Sequence, residues 1–150
     1  MKYFENYVAT IMRKHWLAYH RVDATEKDSI YYHELPFPMV YSKKNKLLKT
    51  DDIVWMIQGE FTGKPPVIFS LVDCFIVRDR ITPPSFLSYE FVCAYDAKRS
   101  ILPSPIEMNK TDPNWIVLHQ GFLTKQGNLQ ELKSSLYTNA LKEISGIYKF

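Results

Sequence analysis

The chain reads as an α+β domain in which a small, mostly antiparallel, barrel-like sheet is flanked by helices at its two ends. Three observations predict this. A polar turn, Thr50-Asp51-Asp52, launches the apolar run Ile53–Ile57, and Gly59, Gly63, Pro65 and Pro66 separate it from a second long apolar run, Val67–Val77. Two such runs divided by turn residues are how neighbouring strands of a closed or tightly packed sheet read. Helical periodicity is confined to the beginning and end of the chain, which places helices outside the strands rather than between them. Aromatic residues make up 15% of the composition, a supply of large side chains suited both to filling such a sheet and to building stacking pockets.

Taken in order, residues 2–14 carry Phe4, Val8, Ile11 and Met12 at helical spacing, with Lys2, Glu5, Asn6 and Arg13 around the rest of the wheel. That predicts a short amphipathic helix. His15–His20 (HWLAYH) is a first strand, followed by a polar exit over 23–28. Ser29–Tyr32 is a short strand or a turn, and Leu35-Pro36-Phe37-Pro38 is an ordered loop, because neither a helix nor a central strand accommodates those prolines. Residues 41–50 are polar and carry Lys43, Lys44, Lys46 and Lys49.

In the second apolar run the odd positions Val67, Phe69, Leu71, Phe75 and Val77 share one face. Asp73 interrupts it, which predicts a bulge or a buried partner for its carboxylate. Residues 78–85 form a loop around Pro83 and Pro84, and Ser88–Tyr95 is a further strand. Pro103, Pro105 and Pro113 make 98–113 irregular, and Trp115–Leu118 reads as a short strand. From Asn128 the period changes: Leu129, Leu132, Leu136, Tyr137, Ala140, Leu141 and Ile144 define an apolar helical stripe. Asn128 is the expected N-cap, Glu131 its capping-box partner, and Gly146 suits the C-terminus. With no repeat, low-complexity tract or linker, residues 1–150 form one domain.

Composition narrows the function classes. The chain is 46% hydrophobic and 23% charged, as globular proteins are and disordered ones are not. A net charge of +3 is compatible with a polyanionic partner. Cys74 and Cys93 each sit in an apolar run, where a free thiol behaves as a small buried hydrophobe, and two cysteines do not make a disulfide scaffold. No apolar run approaches the ~18 residues of a membrane span. These features predict a soluble cytoplasmic protein with no membrane association.

Catalytic chemistry finds no motif here. His15, His20, His33 and His119 lack the spacing of a zinc site, so neither metal nor cofactor is expected. Asp51, Asp52, Glu60 and Lys64 have the composition of a metal-dependent nuclease site, but their places in a turn and a loop fit turn-forming and solvated charges. The chain therefore reads as non-enzymatic.

The order of HWLAYH, a Lys-rich loop, TDDIVWMIQG and VIFSLVDCFIV resembles the PUA-like superfamily, with EVE, YTH and ASCH-type domains as its nearest kin, over roughly residues 14–95. Asp51-Asp52-Ile53-Val54-Trp55 matches the phrase that opens a barrel strand in those families, with Asp51 standing where the phrase usually carries Gly. Ser70-Leu71-Val72-Asp73-Cys74-Phe75 matches the strand that follows. The resemblance implies a reader of modified or unpaired bases, in which aromatics sandwich the base and a few polar groups read its edge.

On that reading Trp16, Tyr19 and Trp55 stack on the base, Trp16 and Trp55 meeting at the mouth of the pocket. Ser70 or Asp73 reads the base edge, and Lys43, Lys44, Lys46 and Lys49 hold phosphates, with Arg78, Arg80, Lys98 and Arg99 extending the surface. The plainer alternatives are core tryptophans with internally satisfied indole N–H groups, a structurally paired Asp73 and a solvated lysine loop. The expected partner is DNA or RNA, methylated or not, together with an effector protein. The competing expectation is an adaptor domain that docks proteins through Leu35–Pro38, Pro83–Phe86 and Pro103–Pro105.

Overall fold

The structure, a computed structural model, describes residues 13–21, 39–42, 48–60, 68–81, 93–97, 101–123 and 129–150. They hold seven strands: β1 (His15–Arg21), β2 (Met39–Ser42), β3 (Ile53–Glu60), β4 (Ile68–Ile81), β5 (Cys93–Ala97), β6 (Ile106–Glu107) and β7 (Leu129–Glu131). Two α-helices, α1 (Pro113–Leu118) and α2 (Ser135–Ser145), accompany them, and a π-helical turn, His119–Leu123, continues α1. The strands lie in the order β2-β5-β4-β3-β1-β7, with β6 added to β4. β1 and β3 run parallel; the other described pairings are antiparallel. The fold is α+β, and among the described residues the sheet is an open path that ends at β2 and β7. The expected helix over 2–14, the segment 29–32 and the loop at 35–38 fall outside the described residues, except that Arg13 and Lys14 carry no regular structure. The loop expected over 78–85 is corrected in its first half. Arg78–Ile81 continue β4, because β5 pairs with Asp79, Arg80 and Ile81 and satisfies their backbone, and 82–86 lie outside the described residues. Of the strand expected over 88–95, the described part begins at Cys93 and runs on to Ala97.

The two apolar runs pair as expected, from Ile53 opposite Ile76 to Glu60 opposite Ile68. The irregularity expected at Asp73 is a bulge. Met56 pairs with Asp73 while Ile57 pairs with Leu71, so Val72 is the extra residue. An extra residue reverses the side-chain alternation of everything beyond it. Phe69 and Leu71 before the bulge therefore share their core with Cys74 and Ile76 after it, whereas Phe75 turns to the opposite face with its partner Val54. The expected single face of odd positions ends at Leu71. A second register shift lies between Val77 and Asp79, where β4 pairs with β5.

One face of the sheet packs under the helices. Leu17, Ile53, Trp55, Ile57, Leu71 and Cys74 meet Trp115 and Leu118 of α1 and Ala140 and Leu141 of α2. The opposite face is buried as well, at Trp16, Ala18, Val54, Met56, Phe75 and Val77. That is why Ile53–Ile57 is uninterrupted apolar sequence: a strand dry on both faces has no polar alternation to show.

Two local expectations are corrected. Residues 115–118 are helical, because Asp112 caps the N-terminus, its Oδ1 accepting from the Asn114 N–H at 2.9 Å, and Pro113 opens the first turn. An Asp-Pro pair there is a helix start. The C-terminal helix begins not at Asn128 but after Ser134, whose hydroxyl accepts from the Leu136 N–H at 3.2 Å. Leu129–Glu131 is drawn into the sheet beside β1, and Leu132 N–H donates to the His15 carbonyl at 2.8 Å. A free edge on β1 competes for these residues and overrides their helical spacing.

The expected C-terminus holds. Gly146 adopts φ 72°, and its N–H donates to the Lys142 carbonyl at 2.8 Å. A Cβ there would touch nothing within 4 Å, so Gly146→Ala tests the backbone alone. It should destabilise the protein by about 1 kcal/mol, read as a lower urea midpoint with an unchanged slope.

Candidate nucleic-acid interface

The turn before β3 organises one end of the sheet. Asp52 is 2% exposed, and its carboxylate gathers three donors. Oδ1 accepts from the Lys14 backbone N–H at 3.1 Å; Oδ2 accepts from the Lys49 backbone N–H at 2.9 Å and from the Trp16 indole Nε1–H at 3.0 Å. The Asp51 N–H donates to the Val77 carbonyl at 2.9 Å, and the Thr50 hydroxyl donates to the Arg78 carbonyl at 3.1 Å. The carboxylate thus fastens the entry of β1 to the turn, and Thr50, Asp51 and the Asp52 backbone tie the turn to the far half of β4. The turn thereby holds the exposed residues Lys14, Lys49 and Arg78 at one end of the sheet, its basic rim. Acids interleave with them: Lys14 Nζ lies 3.4 Å from Glu131, and Asp51 and Asp79 are exposed nearby. Asp51 itself adopts φ 74°, a left-handed conformation that glycine takes freely and aspartate tolerates.

Trp55 is fully buried, and its Nε1–H donates to His15 Nδ1 at 3.0 Å, the two rings stacked at 6.2 Å and 16°. Phe150 meets His15 edge-on at 6.3 Å, and Arg13 lies 5.8 Å over the Phe150 ring. Burial, and then the positive charges of Lys142 and Arg13, lower the His15 pKa to about 4. At neutral pH the ring is therefore uncharged. With Nδ1 accepting, its proton sits on Nε2.

The expected meeting of Trp16 and Trp55 does not occur. Trp16 pairs with Val54 and Leu17 with Trp55, and successive residues of a strand point to opposite faces. The two indoles lie on opposite sides of the sheet, 6% and 0% exposed, each with its N–H taken up internally. The same register separates the other proposed pocket residues. Tyr19, opposite Ile57, shares the helix-covered face with Trp55; Ser70, opposite Gln58, and Asp73, opposite Met56, share the other face with Trp16. Asp73 is 3% exposed, and its Oδ1 accepts from the Cys74 N–H at 2.9 Å. Burial and then the neighbouring Asp73 push the Cys74 thiol up to about 12, the chemistry of an inert core cysteine.

Half-buried Tyr19 and Phe69 approach at 6.1 Å, and Phe69 continues to Trp115 at 5.0 Å and to His119 at 5.5 Å. Gly59 makes room for this cluster, since a Cβ there would strike the Tyr19 hydroxyl and the Phe69 ring. Tyr19 stands out in the sequence, but its companions do not, because α1 and the turn that continues it bring Trp115 and His119 in from far along the chain.

Of the proposed phosphate-holding residues, Lys49 is exposed on the rim, while Lys43, Lys44, Lys46, Lys98 and Arg99 lie outside the described residues. Asp52 immediately precedes the eight-residue β3 and Glu60 ends it, which sets their backbones roughly 26 Å apart at strand rise. No group of three metal-ligating side chains occurs among the described residues, and no described helix is long and apolar enough to cross a membrane. Comparison with family models, curated proteins and solved structures finds no match to the chain.

Proposed function

We propose that this chain is a non-catalytic, PUA-like nucleic-acid-binding domain of the EVE, YTH or ASCH kind, holding an unpaired or modified base at the sheet and phosphates on the Lys14–Lys49–Arg78 rim. The turn at 49–52 carries the reading. Asp51 takes the backbone conformation natural to Gly at the position where the family phrase has Gly, and Asp52 anchors two lysines beside the opening of the strand. Two features support the barrel that this reading includes. β4 bulges twice along its fourteen residues, which increases coiling, and the sheet is dry on the face that no described helix covers. With Trp16 and Trp55 committed to the core, phosphate contacts supply most of the affinity, and base contacts are left to the polar end of the sheet around Ser70.

Fluorescence anisotropy against single- and double-stranded DNA and RNA, unmodified and methylated, at two salt concentrations tests the reading. Binding should weaken steeply with salt. Lys49→Ala and Arg78→Ala should each weaken it about equally for every sequence and reduce the salt slope by about 1. Absence of binding at low salt, or binding indifferent to salt, rejects it.

A second reading, a protein-docking adaptor, draws on the exposed Ile68 and Ile116, 38% and 40% accessible, near Phe69 and Trp115. Pro103–Pro105 is exposed as well. Its partners would bind with little salt dependence and lose affinity on Ile116→Glu.

A further inference from the structure

We infer that the side-chain oxygen of Gln58 is the group that reads the bound base, accepting a hydrogen bond from an N–H on the edge of an unpaired nucleobase. This rests on the nucleic-acid reading above. Gln58 Oε1 is buried yet has no hydrogen-bond partner, and it is the one such side-chain atom among the described residues. Buried acceptors are nearly always satisfied, and an orphan marks a cost the fold carries, a site for an ordered water or a partner that arrives from outside.

Its surroundings favour an arriving partner. Gln58 is near the end of β3, half-buried between the buried Ile57 and Gly59, and its neighbour on β4, Ser70, is half-buried too. The atom is thus dry but only a short way inside the end of the strand. Beyond Ser70, β6 adds a final pairing, Ser70 opposite Glu107, whose side chain is exposed.

The chemistry is selective. An amide oxygen in a dry site accepts from an exocyclic amine or a ring N–H and gives nothing to a base edge that offers acceptors alone. A phosphate, being an acceptor, gains nothing from it either. Every unmodified base carries an N–H on its Watson–Crick edge, at a position that differs between bases. Gln58 would therefore favour the base whose N–H falls at this point, while the lysine rim holds the backbone without regard to sequence.

Gln58→Met, which keeps the length of the side chain and removes the acceptor, separates the possibilities. The probes are single-stranded oligonucleotides that differ only in one central base. Wild-type protein that binds none of them fails the underlying reading before any variant is made. If wild type binds, Gln58→Met should weaken the preferred base about tenfold, leave the others within about twofold, and raise Tm by roughly 2–4 °C, because the orphan oxygen is gone. Affinities unchanged or lowered equally for all bases would overturn the assignment to Gln58 while leaving the rim intact. A lowered Tm would also overturn it, since that would mean the oxygen is satisfied in the free protein.

Discussion

Asp52→Ala should lower folding stability by about 3 kcal/mol and Tm by roughly 6–12 °C. Three donors converge on that carboxylate, two from the backbone of Lys14 and Lys49 and one from the Trp16 indole. A bond to a charged acceptor contributes about 1.5–3 kcal/mol, and these three are not additive, because Lys14 and Lys49 are near enough to the surface for water to replace part of the loss. Water cannot reach the Trp16 N–H so readily, since that side chain is 6% exposed. Asp52→Asn keeps one acceptor oxygen and should recover part of the loss. Urea unfolding followed by tryptophan fluorescence measures both, and a loss below about 1 kcal/mol for Asp52→Ala would show that solvent satisfies the donors. The same substitution should also weaken oligonucleotide binding, because it loosens the turn that sets Lys49 beside Lys14. Stability and affinity would then fall together, whereas Lys49→Ala lowers affinity alone.

Stability should also fall as the solution is acidified from neutral to about pH 4, and His15 is the cause. Its pKa in the folded protein is about 4 against an ordinary value of 6.5. The unfolded chain therefore takes up the proton first. The stabilisation is fully present above pH 6.5, is lost progressively as the pH falls, and is gone below about 4. A shift of that size corresponds to about 3 kcal/mol in a fully buried site; His15 is only partly buried, and solvent screening reduces the effect to roughly 1–2 kcal/mol. Geometry gives the same sign. Protonating Nδ1 would remove the acceptor of the Trp55 N–H and leave a buried donor unpaired. His15→Gln does not titrate and should flatten the profile between pH 6.5 and 4. A profile as steep in that variant as in the wild type would assign the slope to other groups.

How far these features were legible in the chain depends on the range of the interactions that make them. β1, β3 and β4 as far as Val77 could be read directly, β1 as an aromatic-rich stretch with a polar exit and the other two as apolar runs set off by turn residues. The polar extension Arg78–Ile81 could not, because pairing with β5 and not its own sequence makes it strand. The bulge at Val72 was legible through Asp73, a carboxylate where alternation called for an apolar residue. What alternation could not show was the consequence, that the inward face of β4 changes from odd to even positions. Trp16 and Trp55 illustrate the same limit. Each looked suited to a stacking wall, and only the pairing of Trp16 with Val54 and of Leu17 with Trp55 shows that a sheet stands between them. Asp52 was read as one of two turn acids, correctly for the backbone. Its three donors come from residues up to 38 positions away, and no local pattern reports them.

Composition and periodicity alone specified an α+β protein, the paired β3 and β4, the Gly146 helix stop and an inert Cys74, because each follows from neighbours in the chain or from burial. Tertiary contacts decided the rest. The free edge of β1 converted the start of the expected C-terminal helix into β7. The parallel register of β1 on β3 sorted the aromatic residues to two faces. The bonds of the Thr50–Asp52 turn assembled a basic rim from segments that are far apart in sequence. Hydrogen bonds and charge pairs of this reach are satisfied only once the chain has closed on itself, and so the candidate interface appears in the fold rather than in any stretch of the sequence.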